Sequence, residues 1–260
     1  MKVVVVANLK GGVAKTTTVK HLAYGLTEKG YTVCMIDSDS QCNLSLSTST
    51  VPEPEYNLAD VYKGTAKLKD CIATTDLGDC NIIAGSYELA TLDINNILSN
   101  KGADCFQVLK KQIKQLNKVF DYVIIDTPPA LNSLLLNALF VADEVIIPVE
   151  TDYYSIQGLK NFVTLLHQLK EQLGLNINIA GILIQNYNTR TKISNEVSSV
   201  LDGLAIGLGT RVYSTKIRQT TEVVKASFNK TTVQEQNKKA TASIDYDSWI
   251  AEYLKYSKKK

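Results

Sequence analysis

The sequence is poor in several residue types, and each shortage closes off a class of protein. Among 260 residues there are one tryptophan, two histidines and two methionines, and the five cysteines fall in the first 105 positions without a CxxC pair. So few histidines and such scattered cysteines leave no ligand set for a zinc site or an iron–sulfur cluster. An odd number of cysteines at irregular spacing describes no disulfide framework, so reduced thiols, partly in the core, are expected. No stretch approaches the roughly 18 apolar residues of a membrane span. The opening MKVVVVANLKGG holds a five-residue apolar run but neither the longer apolar region nor the small-residue cleavage site of a signal peptide. The cytoplasm is the expected location.

What is present is ordinary in bulk: 45% hydrophobic and 21% charged residues, as in a globular protein. The net charge of +2 hides an asymmetry. From Asn186 onward 13 Lys/Arg face 7 Asp/Glu, whereas residues 1–185 carry 15 against 19. A basic last third suits a polyanionic partner such as nucleic acid, and equally a solvated surface with a lysine tail.

Apolar, β-rich runs at Val3–Ala7, Thr32–Ile36, Asn81–Ala84, Tyr122–Ile125, Glu144–Val149, Ile179–Ile184 and Arg211–Ser214 alternate with helix-period segments. The helical segments are Thr16–Lys29, Ala103–Lys118, Ser133–Val141, Ile156–Leu173, Ile193–Leu201 and Ser243–Lys255. Most runs are continuously apolar, as in strands covered on both faces. The alternation predicts an α/β fold: a doubly wound, mostly parallel sheet with helices on both faces. Ser45–Leu58, with Pro52 and Pro54, reads as a loop. With no repeat or long linker, one domain over 1–260 is expected, its last residues 257–260 a frayed basic tail.

The first strand runs into Lys10-Gly11-Gly12-Val13-Ala14-Lys15-Thr16-Thr17 and then a helix. Strand, glycine-rich turn, Lys-Thr, helix is a phosphate cradle: backbone N–H groups converge on oxygens, and the helix N-terminus adds partial positive charge. Lys15 is placed to reach the β/γ phosphates of a nucleotide and the Thr16 hydroxyl to ligate Mg²⁺. The strict pattern GxxxxGK[ST] fails, because Leu9 and Ala14 hold its glycine positions. Ala14 requires a backbone φ below zero to be tolerated.

Two acidic segments follow. Met35-Ile36-Asp37-Ser38-Asp39-Ser40-Gln41-Cys42-Asn43 puts two carboxylates at the end of the second strand, at the sheet edge where open α/β folds bind ligands. Residues i and i+2 share a face there. Tyr122-Val123-Ile124-Ile125-Asp126-Thr127-Pro128-Pro129 is a buried strand ending in an aspartate suited to hold Mg²⁺ through water.

The run Lys10-Gly-Gly-x-x-Lys-Thr-Thr resembles the deviant Walker A loop of the ParA/Soj partition ATPases and their relative MinD. The resemblance covers about residues 2–255. It implies that Lys10 is a signature lysine crossing a dimer interface to the partner's nucleotide. It implies that Asp39 positions the attacking water, with Asp37 and Asp126 in the Mg²⁺ shell. The family's DxDPQGN reads here with Ser40 for proline and Cys42 for glycine, while DTPP matches at Asp126–Pro129. Tyr187-Asn188-Thr189-Arg190-Thr191 is similar to the YDxRT stretch of the partition branch, which MinD-like proteins lack. Thr215-Lys216-Ile217-Arg218-Gln219 occupies the place of T-x-IPRN, with Arg218 where proline is usual. The resemblance places Asn186, Ile217 and Arg218 beside the nucleotide, together with Gly11, Gly12, Val13, Ala14, Lys15, Thr16 and Thr17 of the loop. Arg190, Lys216, Arg218 and Lys225 become DNA-phosphate contacts, which hold DNA without reading its sequence.

By the same resemblance the chain binds MgATP, dimerises around two nucleotides, binds DNA non-specifically and hydrolyses ATP slowly under stimulation by a ParB-type partner. It would be nucleoid-associated, and of the short form without an N-terminal helix-turn-helix extension. Two rivals share the scaffold. One is a MinD-like ATPase cycling on the membrane, which a basic amphipathic end at Lys258–Lys260 would serve. Asp245, Asp247 and Glu252 argue against lipid, and the face of Trp249, Ile250, Tyr253 and Leu254 fits core docking. The other is a bacterial tyrosine kinase, which thirteen tyrosines invite but no dense tail cluster supports. His21 and His167, inside helical segments, are expected to be structural.

Overall fold

The structure, a computed structural model, describes residues 1–48, 50, 54–98, 105–175, 177–189, 192–207 and 209–257. Its centre is a seven-stranded sheet: β1 (Lys2–Val6), β2 (Val33–Asp37), β3 (Ile72–Thr74), β4 (Asn81–Ile83), β5 (Tyr122–Asp126), β6 (Glu144–Glu150) and β7 (Ile179–Gln185). The spatial order is β3-β4-β2-β5-β1-β6-β7. Every pairing is parallel except β3 with β4. Eleven helices flank it among the described residues: α1 (Lys15–Thr27), α2 (Asn43–Leu46), α3 (Leu58–Lys63), α4 (Glu88–Leu98), α5 (Val108–Gln112), α6 (Ser133–Val141), α7 (Tyr153–Leu173), α8 (Lys192–Gly207), α9 (Thr221–Phe228), α10 (Val233–Gln236) and α11 (Thr241–Ser257).

The valine run of β1 explains why the strands read as unbroken apolar stretches. Val3 and Val5 face one core with Leu134, Leu139, Leu159 and Phe162 of α6 and α7. Val4 and Val6 face a second core with Leu22 and Leu26 of α1 and Trp249 and Ile250 of α11. Alternate side chains point to opposite faces, and both faces are covered, so no position is left for a polar residue. Helices α1 and α11 approach closely, since a Cβ on Gly25 would collide with the Ile250 side chain.

The doubly wound sheet matches the sequence expectation, as does the core docking of Trp249, Ile250, Tyr253 and Leu254. All five cysteines are buried and none forms a disulfide. Three expected elements differ. Arg211–Ser214 is no strand; Val212 makes only an isolated bridge to Ile182, because the β7 edge is met there by a passing chain rather than a ladder. Within Ala103–Lys118, residues 103 and 104 lie outside the described residues, and α5 stops at Gln112, continuing as a 3₁₀ turn over Ile113–Leu116. The expected loop Ser45–Leu58 is entered by the end of α2 and left by α3.

Candidate nucleotide site

The loop between Val6 and Lys15 sits at the C-terminal end of β1, a central strand. Asn8 braces it: Nδ2 donates to the Pro148 carbonyl at 2.8 Å, and Oδ1 accepts the Lys10 N–H at 3.0 Å. Ala14 forms the N-cap of α1 with φ of +62°, which overturns the expectation of a negative φ. A left-handed residue here costs a side-chain-bearing amino acid about 1–2 kcal/mol. Alternating the backbone hand turns successive N–H groups to one side, the shape of an anion-binding nest, and that requirement of the loop sets the angle. Ala14 offers α1 no side-chain cap, so the first N–H groups of the helix are left for a ligand. Lys15 is buried and donates from Nζ to the Lys10 carbonyl at 3.0 Å. Burial pulls its pKa down, against the opposing pull of Asp126 and Asp39.

The strand ends bring the carboxylates together. Asp37 and Asp126 are register partners across β2 and β5, and both are fully buried. Thr16 Oγ1 donates to Asp126 Oδ2 at 2.6 Å. Asp37 accepts from the Ser45 N–H at 2.8 Å and the Ser45 hydroxyl at 2.7 Å. That hydroxyl in turn accepts the Gly85 N–H at 2.9 Å, and only glycine fits there, since a Cβ would stand 2.9 Å from the Asp37 carbonyl oxygen. Burial, then mutual repulsion, raises the Asp126 pKa; burial likewise raises that of Asp37. Two buried carboxylates beside a threonine hydroxyl are hard oxygen donors whose repulsion a divalent cation would relieve. No group of three or more acidic, histidine or cysteine side chains is arranged to hold a metal among the described residues. Mg²⁺ takes one or two carboxylates and completes its shell from phosphates and water.

Above these groups lies a cleft of about 570 Å³, within the range of small-molecule sites. Gly11, Gly12, Ala14, Lys15, Thr16, Thr17, Asp39, Asn186, Ile217 and Arg218 line it. Val13 is instead buried beneath the loop, and Asp37 and Asp126 lie under the cleft floor. Asn186 has φ of +51° and donates from Nδ2 to Glu150 at 2.5 Å. Lys10 turns away from the cleft: its Nζ donates to Asp152 at 2.7 Å and to Ser155 at 2.9 Å, at the start of α7. Arg218 is clamped to Asp245 of α11, through Nη2 to Oδ1 at 2.6 Å and Nε to Oδ2 at 2.9 Å. Lys216 stands over the Tyr187 ring at 4.5 Å and donates to Ser198. Lys225 is exposed on α9. Arg190 lies outside the described residues.

Sequence reasoning missed Gln41, Asn43, Gln185, Val223, Ser227 and Tyr246 as lining residues. Gln185 carried a signal, as the polar last residue of an apolar strand. The α9 residues carried a weaker one, the Thr220-Thr221-Glu222 start of a helix whose cap hydroxyl accepts from the Glu222 N–H. Tyr246 arrives only through tertiary packing.

A phosphate loop on the central strand of a parallel sheet, over paired strand-end aspartates, defines a P-loop nucleotide-binding protein. An AAA-domain family model matches residues 1–180. The chain is 30% identical over 202 residues to the sporulation initiation inhibitor protein Soj of Bacillus subtilis, covering 75% of this chain and 77% of that one. It is 29% identical over 232 residues to the chromosome partitioning protein ParA of Caulobacter vibrioides, covering 88% and 85%. Among solved structures, cobyrinic acid a,c-diamide synthase of Mycobacterium smegmatis with ADP and magnesium superposes with a TM-score of 0.82 at 27% identity, over 99% and 96% of the two chains. The ATP complex of McdA from Cyanothece gives 0.85 at 22% identity over 99% and 96%, a likeness of fold alone. The chain belongs to the AAA-domain family, in its ParA/Soj group of ATPases, whose cofactors are ATP and Mg²⁺.

Proposed function

We propose that this chain is a DNA-partitioning ATPase, one P-loop domain over residues 1–260 that hydrolyses ATP slowly and cycles between monomer and ATP-bound dimer. The observation that carries the reading is the stack of Thr16, Asp126 and Asp37 beneath a cleft lined by the phosphate loop and Asp39. In this reading the loop N–H groups and Lys15 hold the β/γ phosphates, and Lys15 leaves the Lys10 carbonyl to do so. Thr16, Asp37 and Asp126 would hold Mg²⁺, which would supply charge neutralisation at the phosphates. Asp39, at the cleft wall, orients the attacking water and accepts its proton. Lys10 exchanges Asp152 for the phosphates of a second copy's nucleotide, so the closed dimer carries two sites. Arg190, Lys216, Arg218 and Lys225 lie toward DNA phosphates, and a ParB-type partner accelerates hydrolysis and release. Nucleoid association follows from the DNA contact. The membrane-cycling alternative gains no support from α11, whose apolar face is spent on the core, and no helix among the described residues is long and apolar enough to cross a membrane.

Light scattering with ATP tests the division of roles. Asp39→Ala keeps nucleotide and accumulates as dimer, because only water activation is lost. Lys10→Ala binds ATP and stays monomeric. Identical behaviour of the two variants would overturn the assignment.

A further inference from the structure

Lys20 is a buried cation that the nucleotide chemistry above does not use. It lies on α1 one turn beyond Thr16, on the same helical stripe. It is 2% exposed, a rare place for a lysine without a carboxylate partner. No ion pair forms at Lys20 among the described residues. The nearest influence of opposite sign is Glu235 of α10, too far to be a contact, and burial dominates, lowering the pKa to about 8. Its Nζ spends itself on one acceptor, the Ser47 carbonyl, at 2.6 Å. Ser47 is the C-cap of α2.

That carbonyl closes the segment that follows Asp39, which separate main-chain hydrogen bonds tie together turn by turn. The Cys42 N–H donates to the Asp39 carbonyl at 2.9 Å, and the Leu46 N–H to the Cys42 carbonyl at 2.8 Å. Next along α2 the Ser47 N–H donates to the Asn43 carbonyl at 3.1 Å, and Ser47 then accepts from Lys20. Asn43 and Ser47 line the cleft beside Asp39. A helix of four residues has little stability of its own, so its pose depends on its ends. Lys20 holds the C-terminal end at the Ser47 carbonyl, and Asp37 holds Ser45, two residues before it. An ammonium at the carbonyl end of a helix is also favourably placed for the peptide dipoles. An apolar side chain would fill the same space without the desolvation cost, so stability alone does not account for a lysine here.

We propose that Lys20 is a positioning residue for ATP hydrolysis: its buried ammonium fixes α2 against the phosphate-loop helix and so holds the Asp39 turn facing the cleft. It touches neither nucleotide nor metal, and acts through the backbone of residues 42–47. The inference rests on the assignment of Asp39 to water activation given above.

The test is Lys20→Met, which keeps length and apolar stem but removes the donor, with Lys20→Gln as a second variant carrying a shorter donor. Affinity for a non-hydrolysable ATP analogue and basal steady-state hydrolysis are measured for both, with thermal unfolding as the fold control. Lys20→Met is expected to bind the analogue within threefold of the parent, unfold at the same or higher temperature, and lose at least tenfold in kcat. Lys20→Gln should fall between the two. Parent-like kcat in either variant overturns the inference, and so does a loss of analogue affinity as large as the loss of kcat, which would mean general collapse of the site. Asp39→Ala run alongside separates the two levels. If it hydrolyses normally, the site assignment fails and takes the Lys20 proposal with it; if it is inactive while Lys20→Met is active, only the role of Lys20 is lost.

Discussion

Ala14 and Cys42 show how a single residue type can depart from a pattern without changing the backbone that the pattern encodes. Both stand where the resembling family carries glycine, and both adopt left-handed angles, φ +62° and +56°. The loop and the turn after Asp39 therefore keep the shape glycine would give them, at the expense of two strained alanine-like positions. The consequence is measurable. Ala14→Gly relieves the strain and loses some unfolded-state rigidity, for a net stabilisation of about 0.5–1 kcal/mol. Cys42→Gly should gain less, because the thiol it removes is buried. Urea unfolding midpoints check both, and a destabilised Ala14→Gly would show that the angle is not strained. Neither angle was legible from the sequence. The chemistry was: the order of Lys15, Asp37 and Asp126 after their strands is set by residue type, whereas φ at one alanine is set by how the loop closes over β1.

At the scale of elements, legibility follows length. α6, α7 and α11 were readable because each repeats its apolar period over two turns or more. α2, α3 and α10 have four to six residues, too few for a period, although Asn57 and Asp60 form a capping box at α3 that marks its start. The antiparallel β3 has three residues and gave no signal. The joint between α1 and α11 was equally invisible, and it makes a pH-dependent prediction. His21 stacks on Tyr246 with ring centroids 4.0 Å apart. Its Nε2 accepts the Val233 N–H at 3.2 Å, so the proton sits on Nδ1 and is donated to the Thr17 carbonyl. Burial first, with Lys20 adding, lowers its pKa to about 3. A histidine held neutral binds fewer protons folded than unfolded between about pH 3 and 6.5, so stability rises with pH across that window and is lost on acidification. From pH 6.5 to 5 the loss from this one group is about 2 kcal/mol. His21→Gln, which can still accept from Val233, should lose that much less over the same interval in urea titrations. Equal losses in parent and variant would mean that His21 protonates in place.

For the whole molecule, the two faces of the sheet do different things. α1, α9 and α11 share one face with the nucleotide cleft at its upper edge, and α6 and α7 pack on the other. Three basic residues of the last third, Lys216, Arg218 and Lys225, lie on or beside segments that also wall the cleft, but they are not equivalent. Arg218 is already spent on Asp245, whose side chain is 9% exposed, so reversing Arg218 would set two carboxylates together and damage the fold rather than report on DNA. Lys216 is engaged with Tyr187 and Ser198. Lys225 is exposed, with no ion pair among the described residues, and is not among the residues that line the cleft beside Val224 and Ser227. It is the residue whose charge reversal tests the proposed DNA contact. In the proposed cycle a dimer closed by ATP would present two such surfaces rigidly, and the second engagement would become intramolecular, raising affinity without a new contact. DNA binding should therefore require ATP and be indifferent to duplex sequence. It should weaken steeply with salt, since each neutralised phosphate contributes about −0.9 to the slope of log K against log salt. Lys225→Glu, present twice per dimer, should flatten that slope by about 2 and leave basal hydrolysis and nucleotide affinity at parent values. Binding isotherms on two unrelated duplexes with ATP and with ADP, at several salt concentrations, provide the measurement. A slope unchanged by Lys225→Glu would move the DNA surface off α9, and equal affinity in ATP and ADP would remove the link between dimer closure and DNA.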